Sequence, residues 1–179
     1  MKRISKEKKE IIMLEIRKAN SNEYETTYDE KGNTINKKKS NIQRGKNARA
    51  AGGRFELKVR KDLESKGKIV DKWTNNVDLE EEKIVQAKRK YNPFKKVMVI
   101  GTGFPDFVSI QHVDEGVYSV IGVEVKMNGI LSKVEKEKCA WYLQNKIFSN
   151  IWIGKKGEKR GEIVYDDFLE KYGEKYHKI

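Results

Sequence analysis

The chain has 179 residues, with 37% hydrophobic and an equal 37% charged, which allows one domain with a modest core plus an appendage, and no run in it approaches the roughly 18 apolar residues a spanning helix needs. The formal net charge of +12 points to a polyanionic partner, with nucleic acid ahead of an anionic membrane surface. Cys139 is the only cysteine and His112 and His177 the only histidines, so an internal disulfide and a cysteine zinc cluster are excluded, and any metal is a hard cation held by oxygen. The start, Met-Lys-Arg-Ile-Ser-Lys-Glu-Lys-Lys-Glu, has no apolar signal core. The expected location is therefore cytoplasmic, without secretion.

Residues 5–18 are expected to be helical, with Ile11, Ile12, Leu14 and Ile16 among many charges and no clean apolar stripe. From 20 to 49 the chain is polar. Residues 24–28 and 33–36 around Gly32 suggest a small hairpin, and Lys37, Lys38, Lys39, Arg44, Lys46 and Arg49 read as a basic linker. Residues 1–53 hold 14 Lys and Arg against 7 Asp and Glu, a surplus of 14 − 7 = +7 out of the total +12. They read either as a solvated arm or as a DNA-contacting one. The boundary is set between a basic helix and flexible arm, 1–46, and a folded domain, 47–179.

A helix follows over 48–65, where Phe55, Val59 and Leu63 recur every four residues and Gly67 supplies the stop. Glu56 lies on the same stripe. It is either an edge acid that reaches water or a Lys, or a carboxylate that needs a cation, because an unpaired buried charge is costly. Residues 68–73 read as the first strand, and 74–96 as irregular and charged, with Pro93 ending any helix over 80–90. Lys88, Arg89, Lys90 and Tyr91, with Lys95 and Lys96, mix bases with an aromatic, which suits phosphate contact and stacking as well as plain solvated surface. Residues 97–100 suggest a short strand. Gly101-Thr-Gly103 lacks the following Gly-Lys-Ser/Thr of a phosphate loop.

The stretch 103–126 organises the rest. Two β-branched-rich runs flank Gly116, and the best loop is Asp114-Glu115-Gly116, with Gly where φ must be positive. Pairing about Glu115 then sets Asp106 opposite Glu124. Facing carboxylates repel, so a sequence selected only to fold should avoid them, whereas a divalent cation between them removes the penalty. Lys126, two residues on, shares the face of Glu124. Singly, Asp106 after Pro105 is an ordinary loop acid and Glu124 and Lys126 an ordinary solvent face. Ser132-Lys-Val-Glu135 has the capping-box pattern and opens a helix to about 146, with Lys138 in its apolar stripe, where it either snorkels outward or serves the site. Residues 149–154 read as a strand and 165–176 as a helix, which gives an α/β unit on a mixed sheet.

Gly-Phe-Pro-Asp106 followed by Glu124-Val-Lys126 resembles the bipartite signature of the PD-(D/E)XK nuclease superfamily. The order helix, strand, hairpin, helix, strand over 47–156 is similar too, and residues 54–67 resemble the opening helix of archaeal Holliday-junction resolvases. The resemblance implies a restriction-endonuclease-like core (α-β-β-β-α-β) and a DNA endonuclease using Mg²⁺, for which Mn²⁺ substitutes. It implies Glu56, Asp106, Glu124 and Lys126 as catalytic residues and Glu56, Asp106, Glu124 and the Val125 carbonyl as metal ligands. Duplex or branched DNA would be held by Arg44, Lys46, Arg49, Arg54, Lys88, Arg89, Lys90 and Lys138, and a homodimer is implied by the resolvase resemblance alone. A binding module on the same fold without cleavage is the alternative. RecB-like members carry Gln-x-x-x-Tyr on the following helix; here Lys138 stands in place of Gln ahead of Tyr142.

Overall fold

The computed structural model describes residues 5–29, 31–87, 89–92, 97–100 and 103–176, with the side chains of 89–92 and 97–100 left out. In chain order the elements are α1 (Lys6–Ala19), β1 (Tyr24–Tyr28), β2 (Thr34–Lys38), α2 (Lys39–Ser65), β3 (Ile69–Lys72), β4 (Asn75–Asp78), β5 (Lys83–Gln86), β6 (Arg89–Asn92), β7 (Val97–Ile100), β8 (Phe107–Asp114), β9 (Val117–Val125), α3 (Lys133–Gln144), β10 (Asn150–Lys156), β11 (Ile163–Asp167) and α4 (Phe168–Tyr176). The fold is α/β, with a mixed five-stranded sheet in the order β11-β10-β9-β8-β3 and four helices among the described residues. The chain divides into two compact units, residues 1–51 and 52–179.

In residues 52–179 the sheet separates two apolar clusters. Alternate residues of a strand face opposite ways, so Phe107, Ile121 and Val123 pack with Val70 against the α2 stripe Phe55, Val59 and Leu63. The other cluster gathers Phe104, Leu131, Cys139, Tyr142, Phe148, Ile151, Ile153 and Phe168, from α3, α4, β10 and the loops. β9 pairs with β10 in parallel and with β8 antiparallel. The β8–β9 register runs Phe107↔Val123 to His112↔Tyr118 and then shifts to Asp114↔Val117. The tip is therefore a two-residue turn, Glu115-Gly116, with an irregularity at Val113 in place of the expected three-residue loop. Gly116 has φ +72°, as the turn requires.

Residues 74–92, expected to be irregular, carry strands, and no helix forms over the described residues of 80–90. β4 and β5 pair antiparallel, as do β6 and β7. The Asp78 side chain accepts the N–H groups of Glu80 and Glu81, and this local competition for backbone donors favours a turn over a helix. Lys88, Lys95 and Lys96 lie outside the described residues, as does Pro93.

The described residues of 1–51 hold α1, β1, β2 and the start of α2. β1 and β2 form a hairpin whose turn is held by Asp29, which accepts from Lys31 and Asn33. Asn36 reaches from β2 to the Glu15 carboxylate and carbonyl on α1. The expected linker over 39–47 is helical, since α2 begins at Lys39. Lys, Gln, Arg and Ala are good helix formers, but with Ile42 the only large apolar side chain there they leave no periodic stripe. No side chain among the described residues of 1–51 is fully buried. No helix among the described residues is long and apolar enough to cross a membrane.

Candidate functional site

The Gly-Phe-Pro-Asp stretch is pinned by backbone contacts. Phe104 N–H donates to the Asn75 carbonyl at 2.9 Å and Trp73 N–H to the Asp106 carbonyl at 3.3 Å. Gly103 is required by this close approach, because a Cβ there would collide with the Trp73 and Asn75 carbonyl oxygens. The Phe104–Pro105 peptide is cis. Asp106 immediately precedes β8, and the Phe107↔Val123 pairing continues to set it opposite Glu124. Its Oδ2 accepts the Val125 N–H at 2.9 Å, which fixes the carboxylate over the end of β9.

Glu124 is 4% exposed. Its Oε1 lies 3.0 Å from Lys126 Nζ, while its Oε2 is buried without a hydrogen-bond partner among the described residues. Such an atom bears a desolvation cost of a few kcal/mol unless something supplies charge or a donor. Lys126 also reaches Glu135 Oε1, at 2.7 Å. Burial, then the Asp106 charge, push the Glu124 carboxyl above its usual range, against the pull of Lys126. Burial raises Asp106 as well. The Val125 hydrogen bond opposes that shift and the Glu56 charge adds to it. For Lys126, burial pulls down, yet the ion pairs with Glu135 and Glu124 outweigh it and hold the ammonium above its ordinary range. Glu124 and Lys126 respond differently to one contact because Glu124 is far more buried, with side-chain exposures of 5% and 30%. Desolvation dominates the one and the two acids dominate the other.

Glu56 is half-buried at the edge of the α2 stripe, near enough for its charge to act on Asp106. The structure thus brings Asp106, Glu124, Val125 and Lys126 together, while Glu56 on α2 is tied to them only through the action of its charge on Asp106. Among the described residues, no three or more His, Cys, Asp or Glu side chains gather closely enough to hold a metal ion by themselves. Glu135 belongs to the site and sequence reading missed it, because its capping-box position already explained it as a helix start.

The expected DNA-contacting residues are dispersed. Lys138 donates to Asn76 Oδ1 at 2.8 Å and lies 5.7 Å from the Phe104 ring centre, so it turns inward and does not snorkel. Arg54 is exposed on α2. Arg89 and Lys90 lie on β6, and Lys88 is outside the described residues. Arg44, Lys46 and Arg49 are exposed on α2, and Arg49 also lines a groove of about 730 Å³ with Lys18, Tyr24, Lys37, Lys38 and Asn41. Lys18 is already engaged by Glu15, which leaves Lys37, Lys38 and Arg49 as the groove's other cations, with Glu25 as the acid among its lining residues.

Comparison with models of known families, with curated proteins and with solved structures found no match.

Proposed function

We propose that this protein is a Mg²⁺-dependent DNA endonuclease of the PD-(D/E)XK superfamily, with a restriction-endonuclease-like core. In this reading it acts as a homodimer in the cytoplasm on branched DNA, in the manner of a Holliday-junction resolvase. The observation that carries the reading is the Glu124 carboxylate, buried beside Asp106 with one oxygen unpartnered. A sequence selected only for stability would place an apolar residue there, as it does on the opposite face at Val123.

The donor chemistry fits a hard cation. Mg²⁺ takes one or two carboxylates and keeps several waters, so Asp106, Glu124 and the Val125 carbonyl would hold it without a third side chain, and Glu56 stands near enough to add charge. Mn²⁺ accepts the same oxygen ligands. When bound, the ion would neutralise charge on the scissile phosphate and acidify a water. Asp106 is oriented for this by Val125 N–H, and Lys126, beside Glu124, offers an ammonium to the attacking water or to the developing phosphate charge. The basic groove of residues 1–51 and the exposed Arg44, Lys46 and Arg54 would contact phosphates, giving salt-dependent binding with little base readout.

The test is incubation of the full chain with linear duplex, single-stranded and four-way-junction DNA, in Mg²⁺ and in EDTA. Cleavage is expected in Mg²⁺ only, reduced on the order of a hundredfold or more in Asp106→Ala and in Lys126→Ala. Metal-dependent cleavage that survives Asp106→Ala would sink the site. A second reading, a nucleic-acid-binding module without cleavage, is favoured by one feature: Lys126 already lies between Glu124 and Glu135 and offsets charge there without any ion. Junction binding that is equal in Mg²⁺ and EDTA, with no product from any substrate, would support it.

A further inference from the structure

Lys126 is held by acids from two different elements. Glu124 Oε1 on β9 lies at 3.0 Å and Glu135 Oε1 on α3 at 2.7 Å. Glu135 is itself fixed, since its Oε2 accepts the Ser132 N–H at 2.7 Å while Ser132 Oγ accepts the Glu135 N–H. This reciprocal cap orients the carboxylate before Lys126 meets it, so little side-chain freedom remains to be lost.

A lysine ammonium and a divalent cation compete for the same carboxylate. If Lys126 had only Glu124 as partner, an incoming ion would have to displace a half-buried ion pair and leave the ammonium beside the cation without a charged acceptor. With Glu135 present, Lys126 keeps a charged acceptor after Glu124 turns to the ion. We propose that Glu135 is a positioning residue: it holds Lys126 so that Glu124 can turn from the ammonium to ligate a divalent cation. The proposal rests on the metal-site reading above.

The experiment is Mn²⁺ titration of the full chain without DNA, by electron paramagnetic resonance of free Mn²⁺, with thermal melting in parallel. Glu135→Gln keeps an oxygen for the Ser132 N–H and removes the charge. Ser132→Ala weakens the cap and keeps the charge. Glu135→Gln is expected to weaken Mn²⁺ binding about tenfold or more, the usual cost of losing an outer-shell partner, with little change in Tm. Ser132→Ala should lower Tm and leave affinity within about twofold, as loss of a cap acts on the helix. Lys126→Met removes the competitor and should tighten binding. In that background Glu135→Gln should change affinity less than about threefold, because coupled residues are non-additive.

Wild-type affinity in Glu135→Gln would overturn the proposal. So would an undiminished loss in the Lys126→Met background, which would make Glu135 a ligand or a general source of charge. If the wild type binds no Mn²⁺, or Asp106→Asn binds it equally well, the metal-site reading falls and this inference falls with it. Binding that needs Asp106 yet ignores Glu135 overturns only the inference.

Discussion

Residues 1–51 and 52–179 obtain their structure from different sources. In 52–179 the side chains of Val59, Leu63, Val123, Tyr142, Ile151, Ile153 and Phe168 are all fully removed from solvent. Among the described residues of 1–51 no side chain is fully buried, and Ile11, Ile12, Met13, Leu14 and Ile16 of α1 stand about half or more exposed. What orders that unit is local and polar: the Ser5 cap on α1, the Asp29 turn and the Glu15–Asn36 tie. Hydrophobic burial supplies most folding free energy, whereas exposed polar contacts contribute little each. Stability is thus concentrated in 52–179, while the first 53 residues carry +7 of the chain's +12 net charge.

The largest expected effect tests that division directly. Leu63→Ala, at a site with no exposure, should cost about 2–5 kcal/mol by urea denaturation. Ile16→Ala, on the exposed α1, should stay within about 0.5 kcal/mol. An Ile16→Ala cost comparable to that of Leu63→Ala would show that α1 is covered in solution, by a second copy or another partner.

Within 52–179 the same strand shows the contrast at smaller scale, since Val123 and Glu124 are both buried in β9 on opposite faces. Burial and the Asp106 charge raise the Glu124 carboxyl above its unfolded value of about 4.3. On raising the pH from 4, the unfolded chain deprotonates first while the folded one holds its proton. Stability is therefore full below that value and falls as pH rises through the folded pKa. Glu124→Gln should make the metal-free protein more stable at neutral pH, by about 1 kcal/mol or more, since each unit of a raised pKa is worth about 1.4 kcal/mol. The gain should vanish near pH 4, while any cleavage is abolished. A neutral-pH loss of stability would show that the Lys126 contact outweighs the burial of Glu124.

The hairpin register is legible in the sequence because strand period and turn position together leave little freedom: pairing about Glu115 reproduces Phe107↔Val123 through His112↔Tyr118. The Phe55, Val59 and Leu63 stripe is legible for the same reason, as its spacing is set by burial. What escapes is set by polar contacts that carry no period. The first turns of α2, from Lys39, have only Ile42 to bury. In the sequence β11 merges with the last helix, because Tyr165 and Tyr176 bound one continuous amphipathic run; Asp167, which accepts from Leu169 and Glu170 N–H, marks where α4 begins. Glu135 meets Lys126 nine positions away, a spacing that belongs to no single element.

The smallest effect on stability should accompany a clear one on binding. Lys37, Lys38 and Arg49 line the groove of residues 1–51, and none of them lies in an apolar core. Replacing all three with Gln should move Tm little, as surface substitutions usually do. Every cation that no longer neutralises a phosphate should flatten the slope of log affinity against log salt by roughly 0.9 on duplex DNA. The triple variant should therefore lose up to about 2.7 of slope while turnover of bound substrate is retained. Lys18 is left in place because it is paired with Glu15, which also holds Asn36, and its replacement would mix folding with binding. A slope equal to that of the wild type would remove the groove from the DNA path. In the proposed reading, phosphate contact would then fall to the basic side chains outside the groove, such as Arg44, Lys46 and Arg54.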